Sequence, residues 1–122
     1  ERQYKINERN LIMNYFSIEV NGECYSPVIL ADSDGNPAYT EFLDMTYEEM
    51  KNSEKLEDFV IAAMEAADRK SDGEDDYSDV VVTLIGEDGF FIWGIIMSSE
   101  GDDITYKIVD WQEGGKHFKY VD

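Results

Sequence analysis

Val80-Val81-Val82-Thr83-Leu84-Ile85, Gly86-Glu87-Asp88-Gly89 and Phe90-Phe91-Ile92-Trp93-Gly94-Ile95-Ile96-Met97 follow one another without interruption. Two runs of β-branched and aromatic residues joined by a turn rich in Gly and Asp read as a β-hairpin. In its second strand Phe91, Trp93, Ile95 and Met97 share one face, and Phe90, Ile92, Gly94 and Ile96 the other. Val80, Val82 and Leu84 stand opposite Val81 and Ile85 in the same way. Both faces are apolar, so the pair belongs at the centre of a sheet that is covered on both sides. A helix covers one. The other requires the N-terminal segment, strong curvature of the sheet, or a second copy of the chain, and burial within the monomer is the simplest of these.

Upstream of the hairpin, Phe16-Ser17-Ile18-Glu19-Val20 alternates and ends at Asn21-Gly22, the strongest two-residue hairpin signal, with 24–30 as the returning strand. The turn Asp32-Ser33-Asp34-Gly35-Asn36-Pro37 then leads into a third expected strand over 38–43, since Pro37 suits a strand's first residue. Thr46 and Glu49 have the spacing of a capping box. Leu56, Phe59, Val60, Ala63, Met64 and Ala67 form one apolar stripe on a helix, with Glu54, Glu57, Asp58, Glu65 and Asp68 off it and facing water. Ser53 marks a break near Asn52, and Arg69-Lys70 complement the macrodipole at the helix end.

Downstream, Glu100-Gly101-Asp102-Asp103 reads as a turn, 104–111 as a strand, Glu113-Gly114-Gly115 as a turn and 117–121 as a last strand, while 1–13 is expected to hold a short helix. The expected fold is α+β. It is a single domain over 1–122 with a largely antiparallel sheet of six or seven strands and one main helix over about 46–69 packed on one face, in the order (α)βββαββββ.

Composition narrows the function. A chain of 122 residues can bury a core without staples, and 43% hydrophobic with 13% aromatic residues argues against disorder. Ten basic and twenty-eight acidic residues give a formal charge of −18, which repels nucleic acid and anionic membranes alike. The lone Cys24 cannot form an internal disulfide, and with the lone His117 it cannot complete a zinc set, which fits a reducing, cytoplasmic setting. No apolar run approaches the ~20 residues that span a bilayer, and no signal peptide is visible. The chain opens on Glu1 rather than Met, consistent with a segment removed upstream.

Catalytic motifs are missing from the sequence. Asp32, Asp34 and Asn36 begin like a calcium loop, but Pro37 stands where that loop needs Gly and Leu43 where it needs a bidentate acid, so a β-turn is expected. The run Asp72-Gly73-Glu74-Asp75-Asp76 lacks the fixed geometry that metal selectivity requires and reads as solvated. His117 has no nucleophile and orienting carboxylate placed beside it by the sequence, and reads as a rim histidine. Cys24, alternating with apolar neighbours, is expected to be a small buried hydrophobe with no cation nearby to lower its pKa. No glycine-rich phosphate loop is present. The expectation is a protein that is not an enzyme and carries no metal or cofactor.

Charge is the remaining signal. Between Lys70 and Lys107 lie thirty-six residues with ten acids and no base, and between Arg9 and Lys51 eight more acids without a base. They concentrate at turns, which in an antiparallel sheet collect along its two rims. The expected partner-binding set is Asp72, Glu74, Asp75, Asp76, Asp79, Glu87, Asp88, Glu100, Asp102 and Asp103, with Tyr77, joined by Tyr39, as an exposed aromatic anchor. A compact chain of this length is roughly 35 Å across, and duplex DNA of that length carries about 20 phosphate charges. Carboxylates on alternate strand residues also repeat every ~6.7 Å.

In this charge profile and size the chain resembles the DNA-mimic inhibitors of phages and mobile elements, the class that includes anti-restriction and anti-CRISPR proteins. That resemblance implies a basic nucleic-acid-binding partner, such as a bacterial defence nuclease, with no direct nucleic-acid or membrane binding, and a monomer or homodimer. The alternative is an acidic interaction or adaptor domain without mimicry; an acidic surface also keeps a small protein soluble with no partner at all.

Overall fold

A computed structural model describes residues 13–71, 77–113 and 118, with only the backbone placed for Tyr77 and Ser78. Within them the chain forms five strands: β1 (Tyr15–Val20), β2 (Glu23–Val28), β3 (Tyr77–Ile85), β4 (Phe91–Glu100) and β5 (Asp103–Asp110). It also forms a 3-10 helix (Thr40–Asp44) and two α-helices, α1 (Tyr47–Lys51) and α2 (Leu56–Lys70). The strands make one sheet in the order β2-β1-β3-β4-β5, and every neighbouring pair is antiparallel. The α+β class and the one main helix therefore stand. Among the described residues there are five strands rather than six or seven, and none of their helices is long and apolar enough to cross a membrane.

Local chemistry explains the framework. Asn21 and Gly22 both adopt positive φ, 53° and 84°, the two-residue turn whose twist matches that of flanking strands, and β2 returns directly on β1. Phe16, Ile18 and Val20 of β1 sit opposite Leu84, Val82 and Val80 of β3, which in turn face Trp93, Ile95 and Met97 of β4. All nine are buried. α2 lays its expected stripe on this inner face, with Phe59, Val60, Ala63, Met64 and Ala67 buried. Thr46 and Glu49 close the capping box in both directions, at 2.9 and 3.1 Å, and start α1. The chain breaks after Lys51 as expected, and Ser53 Oγ accepts from Lys55 N (3.1 Å) just ahead of α2.

Four expectations are corrected. The segment 38–43 is not a strand. After the isolated bridge Ala31–Pro37, Tyr39 turns left-handed (φ 62°) and the chain enters the 3-10 helix. The tight turn drives Phe42 wholly into the core, stacked on Phe59 at 4.4 Å between ring centroids and edge-on to Trp93 at 6.5 Å. Trp93 Nε1 then donates to Met45 O (2.8 Å), pinning the end of that segment to the sheet. The returning strand β2 ends at Val28 rather than at residue 30. Cys24 is exposed, because β2 is the outermost strand on its side and Cys24 pairs with exposed Glu19 on the face away from α2.

The fourth correction concerns Phe91. Leu84 pairs with Trp93 and Ile85 with Phe91, so Ile92 is an extra residue in β4 and shifts the alternation by one. Phe91 thereby leaves the face of Trp93 and meets Trp111, 6.0 Å between ring centroids. Trp111 lies on the outer face against Gly94, where a Cβ would collide with its indole. Ser17 and Thr83, in the same cross-strand row as Gly94, are buried too. At Gly94 the outer cover is thus the chain just beyond β5. The helix expected in 1–13 and the strand expected over 117–121 lie outside the described residues, apart from Met13 and from Phe118, whose carbonyl accepts from Phe91 N (2.8 Å).

Candidate functional site: an acidic face around α2

The hairpins divide the sheet's acids between two ends. One end carries Glu23 at the start of β2, Asp79 in β3, Glu100 at the end of β4, and Asp102 and Asp103 at the β4–β5 turn, all exposed. At ~4.8 Å between strands they spread across ~19 Å. Glu23 is bonded there by Tyr25 Oη (2.9 Å). The opposite end carries Glu87 and Asp88, separated from the first by the ten residues of β4, about 30 Å.

The eleven expected site residues are therefore not one cluster. Asp79, Glu100, Asp102 and Asp103 share an end; Glu87 and Asp88 do not. Asp88 Oδ1 is moreover occupied by Phe90 N (3.0 Å), and Glu87 N donates to Asn14 Oδ1 (3.2 Å), so this turn is tied into the fold. Asp72, Glu74, Asp75, Asp76 and the side chain of Tyr77 lie outside what is described. Tyr39 is no free anchor: its ring is half-buried, 6.3 Å from Phe42 and 6.2 Å from Phe59.

A second acidic surface emerges on α2, where the sequence showed only solvated positions. Glu57, Ile61, Glu65 and Asp68 follow one another at helical spacing along its exposed side. A trough runs on either side of this ridge. The first lies between α2 and the 31–39 segment, where Ala31, Asp32, Ser33 and Tyr39 face Asp58 and Glu65. The second lies between α2 and the β4–β5 end, where Ser99, Gly101, Asp102 and Ile104 face Met64 and Asp68. It continues past Glu57 to Tyr106. Ile61 borders both troughs and is 48% exposed. One signal for it was legible: Ile61 is the large apolar residue of α2 that stands off the buried stripe.

The electrostatics follow from this arrangement. Burial raises the Tyr39 phenol above its ordinary value, and Asp58, Asp32 and Glu65 raise it further against the opposing Lys55. Carboxylates from the turn and from two positions of α2 thus act together on one group. Glu41 is held low by its own backbone hydrogen bond and by Lys55 Nζ, 3.1 Å away. The Cys24 thiol is pushed up by burial and by Glu19, with Ser17 opposing, which leaves it a poor nucleophile. Among the described residues two ion pairs form, Lys51–Glu48 (3.2 Å) and Lys55–Glu41 (3.1 Å). Neither uses Glu57, Asp58 or Glu65 of α2 or an acid of the β4–β5 end.

Asp32 shows how a motif that resembled a calcium loop is used. Its Oδ1 accepts from Asp34 N (2.9 Å) and Asn36 N (3.0 Å), and its carbonyl from Gly35 N (3.0 Å), so the carboxylate organises a turn. Among the described residues no group of three His, Cys, Asp or Glu is placed to hold a metal ion. What these carboxylates can do together is set up a negative field. Comparison with protein-family models, curated proteins and solved structures finds no match to this chain.

Proposed function

We propose that this chain is a non-enzymatic acidic protein that binds a basic nucleic-acid-binding protein, such as a defence nuclease, and inhibits it by presenting carboxylates where phosphates would lie. The observation that carries the reading is a large excess of acids over bases, carried at strand ends and along a packed helix. Residues 13–71 and 77–113 contain twenty-one acids and five bases, and the two ion pairs use two of those bases. Carboxylates fixed at strand ends and along a packed helix keep their spacing, as a phosphate backbone does. A cleft lined with Lys and Arg would attract such a surface at long range and lose that attraction as salt screens it, over a Debye length of ~10 Å at 0.1 M.

Proteins retained by the immobilised chain at low ionic strength, eluted by salt and identified, provide the partner for a competition assay. Duplex DNA or RNA should displace the chain from that partner. A ternary complex containing the chain, its partner and nucleic acid would instead support the adaptor reading. Reversal of Glu100, Asp102 and Asp103 to Lys is expected to slow association and weaken binding by about tenfold while leaving the fold unchanged, since all three are exposed. Unchanged association would remove the β4–β5 end from the site.

A further inference from the structure

The exposed side of α2 combines two features that solvation alone does not require. One is unpartnered apolar surface. Ile61 and Tyr106 border the same trough, 48% and 39% exposed, together with half-buried Ile104 of β5. The other is the ring of acids around them: Glu57, Asp58 and Glu65 from α2, Asp32 from the turn, and Asp102 from the β4–β5 end. Hot spots of protein interfaces are apolar or aromatic centres from which a polar rim excludes water, which is the layout found here. Ser99, which lines the second trough, adds a buried Oγ with no hydrogen-bond partner among the described residues. A donor laid in that trough would satisfy it.

Charge selects the occupant. A second copy would bring the same acids against these, and nucleic acid or an anionic membrane would be repelled. A small cation would leave Ile61 and Tyr106 in water. Building on the reading of a basic partner, we propose that the outer face of α2 is its docking surface. Arg or Lys side chains of the partner lie in the two troughs that straddle the helix, and an apolar side chain of the partner covers Ile61 and Tyr106. The acids of the β4–β5 end extend this surface at one side, and Asp102 belongs to both.

The full chain, isotope-labelled, is titrated with two nonapeptides of equal charge, each with four arginines on either side of a central leucine or a central serine. Amide shifts are expected to concentrate at 31–35, 57–68 and 101–106. The leucine peptide should bind about tenfold tighter than the serine peptide. Ile61→Ser, at an exposed position, should abolish that preference while leaving the serine peptide's affinity unchanged. Reversal of Glu57, Asp58 and Glu65 to Lys should weaken both peptides about a hundredfold. Shifts centred on the Glu87–Asp88 turn, or a leucine preference that survives Ile61→Ser, would overturn the docking surface.

A second measurement separates this inference from the mimicry it builds on, using fluorescent duplex DNA held by protamine. If the chain displaces the duplex and the variant reversed at Glu57, Asp58 and Glu65 does so equally well, mimicry stands and the α2 surface is overturned. If the peptides bind as described but the duplex is never displaced, the docking surface stands and mimicry falls.

Discussion

Gly94 shows how one missing side chain decides what covers the outer face of the sheet. It follows Trp93 and precedes Ile95, both buried on the inner face, so its own position points outward, and there the Trp111 indole occupies the space a Cβ would need. A methyl group at Gly94 would also lie 3.1 Å from Val82 O, in backbone that cannot yield cheaply. Gly94→Ala should therefore destabilise the fold by about 1–3 kcal/mol, as overpacking does. The contact made by the indole is through Nε1 and the five-membered ring, which phenylalanine lacks, and Trp111 Nε1 has no hydrogen-bond partner among the described residues. In a Trp111→Phe background the penalty of Gly94→Ala should shrink by about 1 kcal/mol, a coupling that urea denaturation of the four proteins would measure. Equal penalties in both backgrounds would mean that Trp111 is not what Gly94 accommodates.

The short helix α1 illustrates an element held by its ends. Five residues cannot sustain a helix by propensity, yet α1 carries Met50 into the core with no exposed surface, directly after Met45, whose carbonyl receives the Trp93 indole. The capping box of Thr46 and Glu49 supplies the local order. Thr46→Ala removes the acceptor for Glu49 N and should cost about 1 kcal/mol, read as a lower denaturation midpoint at unchanged slope. β2 is the complementary case, an element defined by where it lies. As the outermost strand on its side it tolerates Pro27, which no central strand would accept, and leaves Cys24 and Pro27 exposed. α2 is held by neither device, since no side chain caps its start; the burial of its apolar stripe on the sheet fixes it, and that same packing leaves Ile61 and four acids facing out.

For the whole molecule, a formal charge of −18 acts on stability and on binding with opposite sign. Like charges repel one another in the compact state, and salt relieves this. The two exposed ion pairs among the described residues, which salt weakens, contribute little. Raising NaCl from 20 to 500 mM should therefore raise the melting temperature by about 5 °C, while the proposed binding to a basic partner should weaken over the same range. A melting temperature that fell with salt would show that local ion pairs outweigh the general repulsion.

Patterns that depend on near neighbours in the chain were legible in the sequence alone. The two apolar faces of 80–85 and 90–97 made these the central hairpin, the alternation of 16–20 a strand ending at the Asn21-Gly22 turn, Thr46 and Glu49 the helix start, and the spacing from Leu56 to Ala67 the buried side of α2. Each rests on geometry repeating within a few residues. What tertiary structure alone decided depends on partners distant in sequence. Phe42 makes its segment a 3-10 helix because a slot between Phe59 and Trp93 receives it. The bulge at Ile92 sends Phe91 to Trp111, and the position of β2 at the sheet's edge exposes Cys24. The candidate site follows the same rule: of the acids of 31–35, 57–68 and 101–106, the sequence placed only Asp102 and Asp103 in the partner-binding set, and those of α2 read as solvated positions. They become one surface only when hydrophobic burial lays α2 across the sheet between a turn and a hairpin end, because apolar contacts determine which distant segments meet and the charges are carried along with them.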